Sequence, residues 1–103
     1  MRYEVTELEK LPRGRGVRVT IGDTRIAMFR VDDHVYAIGD RCSHAEASLA
    51  EGEVWDTVVE CPRHGSEFDL ETGEPGALPA TQPVPVYQVS VEDGMVVLDL
   101  EDA

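Results

Sequence analysis

Residues 17–31 read VRVTIGDTRIAMFRV, and the alternation in this stretch decides the fold class. Val17, Val19 and Ile21 alternate with Arg18 and Thr20, the two-residue period of a strand with one buried face. Gly22-Asp23 is a tight-turn signal that sends the chain back through TRIAMFRV. Asp32-Asp33 is a second turn signal, followed by HVYAIG. Towards the C-terminus Tyr87, Val89 and Val91 alternate with Gln88, Ser90 and Glu92. Asp93-Gly94 is a hairpin signal there, and MVVLDL is the return strand. No stretch sustains a helical period; the one helix candidate is a turn around AEASLAEG. Short strands with frequent turns predict an all-β fold, a small antiparallel β-sandwich or barrel.

The chain has 103 residues, which predicts a single domain over 1–103 with a modest core, burying about 60–70% of its unfolded surface. It has no apolar run of the ~18 residues a membrane span needs, and MRYEVTELEK has no apolar stretch that could serve as a signal peptide. The expectation is a soluble cytoplasmic protein that does not engage membranes. Lys+Arg is 9 against Asp+Glu 21, a formal net charge of -12. Such a surface repels phosphate backbones, which argues against nucleic-acid binding, and could steer a basic partner.

The middle of the chain differs from its ends. Residues 41–83 contain both cysteines, two of the three histidines and four of the six prolines. Two strand-like pieces, EVW and TVVEC, separate two Cys/His stretches, CSHAEASL and CPRHGSEF. The expected arrangement is two loops projecting from a hairpin-like base, inside a β framework made by both chain ends. Cys42 and His44 are spaced C-x-H; after sixteen intervening residues Cys61 and His64 are spaced C-x-x-H. Two thiolates and two imidazoles could hold one tetrahedral zinc, although a C-x-H pair is tight for one ion. A disulfide is disfavoured in a reducing cytosol. A third option puts both cysteines on one iron and both histidines on the other iron of a [2Fe–2S] cluster.

C-x-H and C-P-x-H-G with this gap resemble the Rieske iron–sulfur family. The resemblance extends to VYAIGDRCSH before the first loop, EFDLETGEP after the second, and LPA before the last strands. It implies a Rieske-like β-sandwich with a cluster-binding part at about 41–83. It also implies one [2Fe–2S] cluster, with Cys42 and Cys61 on the inner iron and His44 and His64 on the outer one. Neutral imidazoles in place of two thiolates make reduction easier, so such clusters lie at about -150 to +300 mV rather than about -400 mV. High-potential members carry a second cysteine pair between the loops; the corresponding positions here are Ala47 and Arg63. They also carry a tyrosine that donates to a cysteine sulfur, where this chain has Phe68; Ser66 keeps a hydroxyl that they direct at a bridging sulfide.

The balance resembles the low-potential ferredoxins of Rieske oxygenase systems. That implies a monomeric electron carrier and not an enzyme. Electrons would arrive from a flavin-containing NAD(P)H reductase and leave to a terminal oxygenase, such as an aromatic-ring dioxygenase. Two other readings are a subunit or helper in iron–sulfur assembly or nitrite reduction, and a zinc-stabilised binding module.

His34 is read as a surface residue, Trp55 as packing beneath the loops, and Pro62, Gly65 and Gly73 as loop-shaping residues. Arg15, Arg18, Arg25 and Arg30 are assigned to solvated strand faces. LPATQPVP, with Pro79, resembles the family's loop that covers the cluster. Residues 46–74 hold nine acidic side chains and one basic one, Arg63. They form either a solvated rim or a docking surface around His44 and His64.

Overall fold

The computed structural model describes residues 2–41, 47–63, 65–76 and 82–100. Among them nine strands form, all paired antiparallel. They are β1 (Arg2–Glu7), β2 (Gly16–Ile21), β3 (Thr24–Val31), β4 (His34–Gly39), β5 (Glu53–Trp55), β6 (Val58–Glu60), β7 (Glu67–Asp69), β8 (Val86–Glu92) and β9 (Met95–Asp99). The large sheet runs β1-β9-β8-β4-β3-β2 and the small one β5-β6-β7. The fold is the all-β, antiparallel one expected. β1 and β7 had no clear signal. RYEVTE and EFD are short and polar, and tertiary pairing supplies what their sequences lack.

The turns follow from local chemistry. Asp93 and Gly94 both have positive φ (52° and 77°), the combination a type I′ hairpin turn needs. The AEASLAEG candidate becomes a 3-10 turn at Leu49–Glu51, and an unexpected one forms at Leu8–Lys10.

β3 organises the packing. Its residues Ile26 to Arg30 are all buried, because both of its faces are covered. On one face Ile26 and Met28 join Ala37, Val96, Leu98 and Leu11, so the β1-β9-β8 part of the sheet folds over β2-β3-β4. On the other face Ala27, Phe29 and Ile38 meet Leu49, Val59, Phe68 and Val84, which belong to the small sheet and the loops. Fully burying one side chain such as Phe29 or Phe68 stabilises by about 1.5–3 kcal/mol.

Arg30 corrects the solvated-face expectation, being only 8% exposed. Its Nε donates to the carbonyl of Asp32 (2.8 Å), its Nη1 to the carbonyl of Leu8 (3.0 Å) and its Nη2 to Asp33 Oδ1 (3.2 Å). It thereby ties the end of β3 to the segment after β1. Asp33 is 82% exposed, so the ion pair itself is weak and the two carbonyl contacts carry the energy. Arg30→Met should cost about 2–3 kcal/mol by stranding those contacts, whereas Asp33→Asn should change stability by less than about 0.5 kcal/mol. Urea unfolding midpoints at unchanged slope check both, and equal losses would contradict this division.

Candidate metal centre

The candidate site is built at the end of the small sheet, from loops rooted in the apolar cluster beneath β3. The first loop leaves β4 and is closed by an isolated bridge between Arg41 and Ser48. Its base is held by Asp40, which is 2% exposed. The Ser48 hydroxyl donates to the Asp40 carboxylate (2.7 Å to Oδ1, 2.9 Å to Oδ2), and the Ala50 N–H donates to Oδ1 (3.0 Å). The Leu49 N–H reaches the Asp40 carbonyl at 2.6 Å. One buried carboxylate therefore fixes both ends of the loop and has its charge met by two donors.

The second loop is the tip of the β6–β7 hairpin. The Cys61 N–H donates to the Ser66 carbonyl (2.6 Å) and the Gly65 N–H to the Cys61 carbonyl (3.1 Å). Gly65 has φ of 73°, so a side chain there would be strained. Cys61 is fully buried, carries no disulfide, and packs in the same cluster as Leu49, Phe68 and Val84. Ser66 is also fully buried. A third segment is clamped where the Val84 N–H donates to the Gly73 carbonyl (2.9 Å). Gly73 has φ of 75°, and a Cβ there would lie 2.1 Å from the Val84 carbonyl oxygen, so only glycine fits.

Of the four expected metal-binding residues, the structure places Cys61. Cys42, His44 and His64 lie outside the described residues, as does Pro79 in the expected covering loop. A buried, unbridged thiol in an apolar wall has the donor chemistry of an iron or zinc ligand. Ala47 lies in the first loop and Arg63 in the second. Phe68 is fully buried and has no group to donate to sulfur.

Other residues fall differently from expectation. Trp55 does not pack beneath the loops. It pairs with Val58 beside the β5–β6 turn, at the other end of the small sheet from Cys61, and is 41% exposed. His34 opens β4 and is exposed, as expected. Tyr36 hydrogen-bonds Glu71; partial burial first, and then the charges of Glu71 and Asp69, raise its phenol above the ordinary value of 10.0. Sequence reasoning missed Asp40 and Ser48. An Asp at a strand end reads as a turn residue, and only the fold shows that its carboxylate points inward.

Several of the nine acids are ordered by strand register. Glu53 pairs with Glu60 and Glu60 with Glu67, in one row across the small sheet. The next row, Val54–Val59–Phe68, faces the core, so the glutamates lie on the outer face. Like charges directly opposite one another destabilise by up to about 1 kcal/mol per pair, less than one buried Phe68 returns.

The Rieske [2Fe-2S] domain family matches residues 1–88. The 3-phenylpropionate/cinnamic acid dioxygenase ferredoxin subunit of Escherichia coli (strain K12) is 45% identical over 94 residues, covering 90% of this chain and 88% of its own. Among solved structures, the ferredoxin of carbazole 1,9a-dioxygenase from Nocardioides aromaticivorans IC177 superposes with a TM-score of 0.93 at 34% identity, over 97% of this chain and 98% of its own. A putative NADH-dependent nitrite reductase small subunit from Mycobacterium tuberculosis superposes with a TM-score of 0.88 at 28% identity, over 100% of this chain and 97% of its own.

Removing the Asp40 carboxylate should loosen the first loop while leaving the strands intact. Asp40→Ala is expected to cost about 2–3 kcal/mol and to lower metal content per chain; Ser48→Ala should cost about 1 kcal/mol. Metal and acid-labile sulfide analysis, beside far-UV circular dichroism, checks this. Full metal content in Asp40→Ala would show that the loop does not depend on it.

Proposed function

The chain belongs to the Rieske [2Fe-2S] domain family, and we propose on that basis that it is the ferredoxin of an oxygenase system. It takes single electrons from a flavin-containing NAD(P)H reductase and passes them to a terminal oxygenase, such as an aromatic-ring dioxygenase. The observation that carries this reading is the 45% identity, over nine-tenths of the chain, to a dioxygenase ferredoxin subunit. The nitrite reductase small subunit has the same fold at lower identity, which favours the oxygenase system over nitrite reduction. The reading puts the chain in the cytoplasm, where the NAD(P)H that feeds such a reductase is held.

A chain of this family carries one [2Fe–2S] cluster, which when bound supplies reversible one-electron transfer. Cys42 and Cys61 would hold the inner iron, and His44 and His64 the outer. The described donor fits: Cys61 is a free, fully buried thiol on a hairpin tip whose backbone is tightly closed. Around it the chain excludes water with Leu49, Phe68 and Val84. The Asp40 and Gly73 clamps restrict loop movement, and a site that moves little on changing charge transfers electrons readily.

Hydrogen bonds to sulfur stabilise the electron-rich reduced state, and Phe68 offers none. The row of outer glutamates acts in the same direction, although exposed charges are screened within about 8 Å. The midpoint potential should therefore lie near the low end of the Rieske range, at roughly -150 mV.

Purified protein should contain two irons and two labile sulfides per chain and give a rhombic EPR signal of low average g on reduction. One zinc and no sulfide would overturn the reading. Phe68→Tyr should raise the potential, measured by dye-mediated titration near pH 7, once the new hydroxyl reaches sulfur. A wild-type midpoint well above zero would assign the chain to a high-potential lineage instead.

A further inference from the structure

Four of the nine basic side chains of this chain converge on one place. Arg18, Arg25, Arg41 and Arg63 line an open cleft of about 410 Å³ between the β2–β3 edge and the two loops of the candidate centre. The convergence comes from register. Arg25 pairs with Thr20, and Arg18 lies two residues before Thr20 on the same face of β2, so both guanidiniums share one side of the sheet. Arg41 comes from the base of the first loop and Arg63 from the second. Among the described residues Asp40 and Glu51 also line the cleft, and the Asp40 carboxylate is committed to Ser48 and the Ala50 N–H.

A cluster of this sign is unexpected on a chain of net charge -12. We propose that the arginine cleft docks a carboxylate-rich polypeptide segment of a redox partner; this rests on the electron-carrier reading above. The guanidinium fork matches carboxylates in two-point hydrogen bonds. The cleft is open, and its arginines come from four separate segments, so it suits side chains projecting from a broad surface better than a small anion that must be enclosed. Ala47 and Pro62 also line it, so a segment seated there lies against both loops. The chain's overall negative field repels an acidic partner elsewhere. With a screening length of about 8 Å, the attraction acts only at close range and fixes orientation. The glutamate row lies on a different face, the outer side of the small sheet. An electron carrier must meet a donor and an acceptor in turn, and surfaces of opposite sign beside one centre let the two partners differ in charge.

The test is titration of the oxidised, cluster-bearing protein with a hexaglutamate peptide, followed by calorimetry and amide chemical shifts at low and physiological salt. Hexaglutamate should bind, shift amides of β2, β3 and the loop bases, and weaken with salt. The Arg18→Glu/Arg25→Glu variant should lose at least about tenfold in affinity. Arg18→Gln/Arg25→Gln, which adds no new repulsion, should lose less in the same direction. Arg2→Glu, on β1, makes half of that charge change on another surface and should bind as the wild type does. The proposal is overturned by no binding, by equal affinity in the cleft variants, or by inorganic pyrophosphate binding where hexaglutamate does not, which would make this a small-anion site. Dithionite reduction of each variant, followed by visible spectrum, keeps the two readings apart. A wild-type protein that never takes an electron refutes the carrier reading, whereas normally reduced variants that bind hexaglutamate unchanged refute the cleft alone.

Discussion

Burial of β3 on both faces is the constraint from which the rest of the structure follows. Ile26 and Met28 point one way and Ala27 and Phe29 the other, so two apolar clusters form back to back across one sheet. The chain ends close the first through β1, β8 and β9. The second has no long strands to close it. It is covered by three three-residue strands, a 3-10 turn and the bases of loops. Such short elements are not stable by themselves. Leu49, Val59, Cys61, Phe68 and Val84 all insert into one cluster, so each loop base is held by the burial of the others.

This explains why polar fixings appear where they do. A loop rooted only by apolar contact can slide, because the hydrophobic effect is non-directional. Asp40 and Ser48 add direction to the first loop, the Cys61–Ser66 backbone pair to the second, and the Gly73–Val84 pair to the third. Gly52 belongs with these. A Cβ there would lie 2.0 Å from the Glu60 carbonyl oxygen, so the chain leaving the 3-10 turn can lie against β6 only because position 52 has no side chain.

Much of this was legible in the sequence, for identifiable reasons. The hairpins at Gly22-Asp23, Asp32-Asp33 and Asp93-Gly94 were readable because turn residues and alternation are local signals. The Rieske resemblance was readable because four ligand-type residues and their spacing are preserved in the linear chain. The inward carboxylate of Asp40, the burial of Arg30 and the exposure of Trp55 were not readable, since each depends on which face a distant element covers. Arg30 is the clearest case. Its neighbours Phe29 and Val31 suggest an outward side chain, yet Leu8, twenty-two residues earlier, supplies a carbonyl for it to meet.

Charge shows the same division between pattern and placement. The excess of acid between residues 46 and 74 is visible in composition, but the alignment of Glu53, Glu60 and Glu67 exists only once β5, β6 and β7 take their register. Likewise Arg18, Arg25, Arg41 and Arg63 look scattered until β2 pairs with β3 and the loops return to the same edge. Each arrangement sets like charges near one another, which costs stability, and neither completes the core. Single-residue changes on those surfaces would relieve the repulsion without disturbing Phe29 or Phe68. Both arrangements lie beside the candidate centre, so the field there is uneven, with opposite signs on two neighbouring faces.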